Sequence, residues 1–194
     1  MMSVKQQHNE IDLVHASMGG DQTAVAALLQ SNWSWLKAFV QSILGNVNDT
    51  DDVLQNVCLR VMSRINTLQK PDSFRPWLAV VARREAISFR KKNSKTTIPL
   101  EDYIQNETAA AVEESPLESS LEKEKHQQVL DAAATLPEKY RQVLMLKYTK
   151  DMTYNQISEI LEIPVTTVQI RLTRARKMIF NKLTGKPNDK IPRT

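Results

Sequence analysis

Apolar residues recur at helical spacing over most of the chain, and the places where that period fails divide it. Residues 10–18 and 21–44 each carry such a stripe, with Asp21 placed to cap the second and Gly19, Gly20 and Gly45 as breaks. Trp33, Trp35 and Phe39 are expected in the core. Over 51–65 the inward stripe is Val53, Val57, Val61 and Ile65, with Leu54 and Cys58 beside it. Another helix opens near Phe74-Arg75-Pro76-Trp77, with Pro76 suited to its first turn and Leu78, Ala82 and Phe89 on one face. Farther on, Leu136-Pro137-Glu138 opens a helix to about Tyr148, with Tyr140, Val143 and Leu144 among its apolar positions. Residues 153–161 then make a short helix, Glu162-Ile163-Pro164 a turn, and 165–183 a longer helix. Its buried stripe is expected to be Val168, Leu172, Ala175, Ile179 and Leu183. This order of short helix, turn and longer helix is a helix-turn-helix.

Residues 93–122 interrupt the period: they hold Pro99 and Pro116, many Ser and Thr, and no sustained apolar repeat. They read as a linker, with a helix starting within 117–124. The expected organisation is an N-terminal module over 1–92, the linker over 93–122, a C-terminal module over 123–185 and a tail over 186–194. With 4 Gly in 194 residues, a turn-rich sandwich or barrel is disfavoured, and the expected class is all-α with two small helical domains.

Charge sharpens that division. Residues 73–92 carry six basic residues against one acidic, 93–124 carry two against eight, and 125–194 carry thirteen against six. Two basic modules flanking an acidic stretch suit two nucleic-acid-facing surfaces joined by a segment that must not bind nucleic acid. The competing account is two ordinary solvated faces. Other chemistry recedes. The single cysteine, Cys58, and the scattered His8, His15 and His126 give no metal-ligand spacing, and neither metal nor cofactor is expected. No apolar run approaches the roughly 18–20 residues of a membrane span, and residues 1–12 are polar, so a cytoplasmic protein without membrane insertion is expected.

The outward faces carry the candidate chemistry. On the 51–65 helix, Asp52, Gln55, Asn56, Leu59, Met62 and Ser63 lie opposite the core stripe. Leu59 and Met62 among polar neighbours suit docking of a partner helix; the competing account packs them under the module's own first helix. In the helix opened by Phe74, Trp77, Val81, Arg84, Ser88 and Lys91 share a stripe flanked by Arg83 and Arg90. Cations neutralise phosphate while an aromatic face stacks on an unpaired base, as melting DNA requires; Trp77 as plain core is the alternative. On the last helix Thr166, Ile170, Thr173, Arg174 and Lys177 oppose the buried stripe, and residues 165–183 hold five basic and no acidic residues. Such a face can enter a major groove, reading base edges through Thr and Arg and a thymine methyl through Ile.

Asp49-Thr50-Asp51-Asp52-Val53-Leu54-Gln55, Phe74-Arg75-Pro76-Trp77-Leu78 with Ala82-Arg83, Leu136-Pro137-Glu138, and Tyr154 through Val165 with Val168 to Arg176 occur in that order. Together they resemble a bacterial RNA polymerase sigma factor of the extracytoplasmic-function (ECF) type, over nearly the whole chain. The resemblance implies that the N-terminal module is sigma region two, which docks on the clamp helices of the largest polymerase subunit and melts the minus-ten element. It implies that the C-terminal module is region four, which reads the minus-thirty-five element and contacts the flap of the second-largest subunit. By position Asp52 and Gln55 match the core-binding segment, while Asn56 departs from the acidic residue common there; with Leu59 and Met62 of the outward face, the expected core-binding set is Asp52, Gln55, Asn56, Leu59 and Met62. Residues 66–73 match the segment that captures a flipped promoter base. Minus-ten contacts would come from Asn66, Gln69, Lys70, Arg75, Trp77, Arg83, Arg84, Ser88, Arg90 and Lys91. Minus-thirty-five contacts would come from Thr166, Thr167, Gln169, Ile170, Thr173, Arg174 and Lys177. Thr166 stands where the family often has Gly and Ile170 where it often has Ser. Partners implied are core RNA polymerase and promoter DNA, and the resemblance also admits an anti-sigma protein.

The chain is therefore expected to confer promoter specificity on polymerase and to catalyse nothing itself, since no carboxylate pair, nucleophile triad or phosphate-cradling glycine loop is visible. Two rivals stay open: an autonomous helix-turn-helix repressor, and a nucleic-acid-processing enzyme whose basic faces hold substrate.

Overall fold

The computed structural model describes residues 4–45, 48–94 and 120–185. Two compact units divide the chain, 1–104 and 105–194. Among the described residues the regular structure is helical throughout. The linker expected over 93–122 falls, apart from its two ends, outside the described residues, as does the tail 186–194.

The first unit contains α1 (Val4–Met18), α2 (Gln22–Ser31), α3 (Trp33–Leu44), α4 (Thr50–Arg64) and α5 (Phe74–Ser94). Asp21 caps α2 by accepting from the backbone N–H groups of Thr23 and Ala24 at 2.8 and 3.2 Å, and so satisfies two of the donors that a helix start leaves unpaired. Gly45 ends α3 in the left-handed region at φ 76°, where a Cβ would be strained. The single helix expected over 21–44 is broken at Asn32. Its buried side-chain amide donates to the Leu28 carbonyl at 2.9 Å, diverting the helix ladder, while its own carbonyl accepts from Leu36 to start α3. The break also corrects the expected core. Trp33 now opens a new helix and is 40% exposed, whereas Trp35 and Phe39 stack inside with ring centroids 5.3 Å apart.

Around them, Val14, Leu28, Leu36, Leu54 and Leu78 are fully buried; burying such a side chain contributes about 1.5–3 kcal/mol relative to leaving it in water. Helix α5 lies across α3 and α4. Ala79, Ala82 and Ala86 on its inner face are wholly buried, and their small side chains permit that close approach. α4 begins with Asp51 and Asp52 and ends with Arg64, charges that oppose its dipole at both ends.

The second unit contains α6 (Ser120–Ala134), α7 (Glu138–Lys150), α8 (Tyr154–Leu161) and α9 (Val165–Leu183). Leu136, Tyr140 and Ala175 form a buried cluster, with Leu144, Met178 and Ile179 packed against it. α8 opens with a reciprocal capping box: the Thr153 N–H donates to Gln156 Oε1 at 2.8 Å and the Gln156 N–H to Thr153 Oγ1 at 3.3 Å. Glu162 ends α8 in the left-handed region at φ 55°, and the Ser158 hydroxyl clasps the turn by donating to the Ile163 carbonyl at 2.6 Å. Pro164 then precedes the first residue of α9. On α9 Val168, Leu172 and Ala175 are buried and Ile179 is half-buried. Leu183, expected to close that stripe, is instead 44% exposed, because it stands at the last helical residue, past the end of the packed core.

Candidate functional site

Three exposed surfaces, two in the first unit and one in the second, hold the residues singled out by the sequence. The first is the outer face of α4. Val53, Val57 and Val61 on its inner side are fully buried, so the opposite side is fixed outward. Asp52, Gln55, Asn56, Leu59, Met62 and Ser63 are all exposed there, with Leu59 at 59% and Met62 at 48%. Packing of Leu59 and Met62 beneath α1 is thereby excluded. Cys58 sits half-buried at the edge of this face; burial pushes its thiol pKa up, which keeps it protonated and a poor nucleophile.

The second surface joins the turns before α5 to α5 itself. Two short 3-10 turns, Ile65–Thr67 and Pro71–Ser73, flank an extended Leu68. Ile65, Leu68 and Phe74 are buried and act as three anchors. Between them Asn66, Gln69 and Lys70 project into solvent. On α5 the stripe runs from half-buried Trp77 and Val81 to exposed Arg84, Ser88 and Lys91, with half-buried Arg83 beside it. Trp77 lies between the two accounts given for it: its ring is 6.3 Å from that of buried Phe74, yet it keeps part of its surface in water.

Among the expected DNA-facing cations, Arg75 and Arg90 make contacts within the unit. Arg75 donates from Nε to Glu10 Oε1 at 2.7 Å and from a terminal nitrogen to Glu10 Oε2 at 3.1 Å, the bidentate geometry in which a guanidinium binds a carboxylate most strongly. Arg90 donates to the Ile43 carbonyl at 3.0 Å, satisfying an acceptor at the C-terminal end of α3. The sequence pattern, which counts charges without their partners, could not register these two contacts.

The third surface is the outer side of α9. Thr166, Gln169, Ile170, Thr173 and Lys177 are exposed, Ile170 at 50%, while Thr167 and Arg174 are half-buried. The Thr173 hydroxyl donates to the Gln169 carbonyl at 3.0 Å, which ties the exposed side chain to its own helix. Arg176 was absent from the expected set. It is exposed on the flank of α9, where its Nε donates to the Tyr148 hydroxyl at 2.6 Å and its guanidinium carbon lies 5.5 Å from that ring. Its place beside the buried stripe hid it from the helical-wheel criterion.

The geometry thus combines one apolar, nearly neutral face with two cationic ones, all raised on well-packed helices. The sigma-70 region 2 family model matches residues 28–96 and the sigma-70 region 4 family model matches residues 126–179. The chain belongs to the ECF-type RNA polymerase sigma factors. Sigma factors are transcription initiation factors and not enzymes, so neither the repressor nor the processing-enzyme alternative is favoured. The factor is 28% identical over 177 residues to the ECF RNA polymerase sigma factor SigW of Bacillus subtilis, covering 84% of this chain and 91% of that one. It is also 28% identical over 173 residues to RfaY of Xanthomonas campestris pv. campestris, named as a probable RNA polymerase sigma factor, covering 89% of this chain. This chain spans 43% of the length of RfaY. In fold it is similar to the sigma factor RpoE of Bartonella quintana, solved in complex with the anti-sigma factor NepR, with a TM-score of 0.57 at 18% identity over 80% of this chain and 94% of that one. Among the described residues, no helix is long and apolar enough to cross a membrane.

Proposed function

We propose that this sigma factor directs core RNA polymerase to promoters with its two units in separate roles. The first unit acts as region two over 1–92. The outer face of α4, with Asp52, Gln55, Asn56, Leu59 and Met62, docks on the clamp helices of the largest subunit. Asn66, Gln69 and Lys70 meet a base flipped from the minus-ten element, and Arg84, Ser88 and Lys91 follow the strand that leaves the duplex, with Trp77 as the stacking surface. The second unit acts as region four over 123–185, laying α9 into the major groove of the minus-thirty-five element and contacting the flap of the second-largest subunit. The segment 93–122 joins the two without holding DNA of its own, as its excess of acidic residues suits.

The observation that carries this reading is the exposure of Leu59 and Met62 opposite a stripe that is buried completely. A helix-turn-helix protein acting alone needs no such face, whereas a factor that must first join a polymerase does. An anti-sigma protein fits the same face, since whatever covers Leu59 and Met62 blocks docking.

Run-off transcription on genomic fragments tests the proposal. Core polymerase supplemented with the factor is expected to start at a discrete set of sites that core alone does not use. Protection of the same fragments by the factor without polymerase, and no new transcript with it, would favour the repressor.

A further inference from the structure

The turns that hold Asn66, Gln69 and Lys70 are tied to a helix distant in sequence. α1 packs on both 3-10 turns, and α5 begins with Phe74 and Arg75 directly after the second. At that junction the Glu10–Arg75 pair closes with both side chains about one-seventh exposed, at 14% and 15%. Two parallel hydrogen bonds of 2.7 and 3.1 Å span 65 residues of sequence, so this contact fixes where α1 meets the start of α5. Shielding from solvent makes such a pair stiffer and more direction-dependent than the surface pair Arg60–Glu85, in which Arg60 is 45% exposed. The neighbouring anchors Ile65, Leu68 and Phe74 are apolar and their contacts carry no hydrogen-bond direction, whereas a bidentate guanidinium–carboxylate pair cannot shift by an ångström without losing a bond.

We infer that Glu10 and Arg75 are positioning residues for base capture: their partly shielded pair sets the stance of the 65–73 turns, and through it the discrimination of the flipped minus-ten base. Neither residue touches the base. This inference rests on the assignment of residues 66–73 to base capture made above.

The test uses holoenzyme assembled from core polymerase and full-length variants, with a fluorescent single-stranded minus-ten oligonucleotide randomised at one position at a time. Glu10→Arg and Arg75→Glu each place like charges together, and each is expected to reduce discrimination at the captured position by about fivefold or more, a coupling usual for residues in one network. The double reversal Glu10→Arg with Arg75→Glu restores an opposite-charge pair and is expected to recover most of that loss. A merely structural role would lower affinity for every oligonucleotide alike and leave discrimination unchanged. Where a reversal fails to fold, Glu10→Gln decides: it keeps the shape and one acceptor, removes the charge, and is expected to give a partial loss. Full discrimination in folded Glu10→Gln, or two folded single reversals that lose discrimination without rescue in the double, overturns the inference. Asn66→Ala and Gln69→Ala report on the assignment itself. If both retain full discrimination, residues 66–73 are not the base reader and the underlying reading fails; if they lose it while Glu10→Gln does not, only the positioning role fails.

Discussion

Helices α4 and α9 obey one folding rule and present opposite surfaces. Each buries an inner stripe completely, Val53, Val57 and Val61 in one and Val168, Leu172 and Ala175 in the other. Outward, α4 shows Leu59 and Met62, and its two acidic residues balance its two basic ones. α9 has five basic residues and no acidic one, with Ile170 as the single large apolar side chain exposed over the half that enters the groove in our proposal. The inner stripe decides where a helix sits; the outer face decides what it meets. Exposed apolar side chains on a face of little net charge gain most by being desolvated against another protein. A cationic face gains by releasing counterions from phosphate and would be costly to bury without partners. One chain carrying both surfaces can join a protein machine and a nucleic acid at once.

The sharpest way to break this contrast is to charge the apolar face. Leu59→Asp is expected to abolish assembly with core polymerase, because an unpaired carboxylate in a desolvated contact costs several kcal/mol. The free protein should keep its helicity and melting temperature, since Leu59 already stands in water. Circular dichroism and a core-binding titration give both readouts. Loss of fold, or unchanged assembly, would place the docking surface elsewhere.

A second test removes two exposed cations from the α5 stripe. Arg84→Ala together with Lys91→Ala is expected to lower the salt slope of complex formation by up to about 2, and to slow opening of duplex promoters more than loading on a pre-melted bubble. Equal losses on the two templates would mean simple phosphate anchoring. Arg90→Ala gives the internal comparison: it frees the Ile43 carbonyl and is expected to destabilise the fold by about 1 kcal/mol, visible in a thermal melt.

The contrast between α4 and α9 was legible in the sequence because both inner stripes are unbroken and both outer faces differ in residue type. The helix-turn-helix was legible from the order of a short apolar period, the Glu162-Ile163-Pro164 turn and a longer apolar period; the capping box of Thr153 and Gln156 came only with the structure. Less was legible where one polar side chain decides a break. Asn32 splits a continuous apolar period through a side-chain hydrogen bond that periodicity does not register, and with it Trp33 moves from the core to the surface. The cations of α5 were read as one class for a related reason. Whether an arginine faces DNA or a neighbour depends on partners such as Glu10 and the Ile43 carbonyl, 65 and 47 residues away, and only the packed fold brings these together.

The smallest effects test how α9 divides affinity from selectivity. Lys177→Ala is expected to weaken binding to all minus-thirty-five sequences alike and to lower the salt slope by about 1, as loss of one phosphate contact does. Ile170→Ser should change stability by less than about 0.5 kcal/mol, since half of that residue's surface is already exposed. Its effect should appear in choice of sequence. A methyl-bearing side chain in the groove favours thymine over cytosine at the base pair it meets, and a serine at the same place offers a hydrogen bond to any of several edges. Transcription of a randomised minus-thirty-five library by each holoenzyme should therefore show relaxed selection at one or two adjacent positions for Ile170→Ser and an unchanged profile for Lys177→Ala. If the two profiles are the same, Ile170 is not a base reader, and its exposed apolar surface belongs with that of Leu59 and Met62 as a contact for protein.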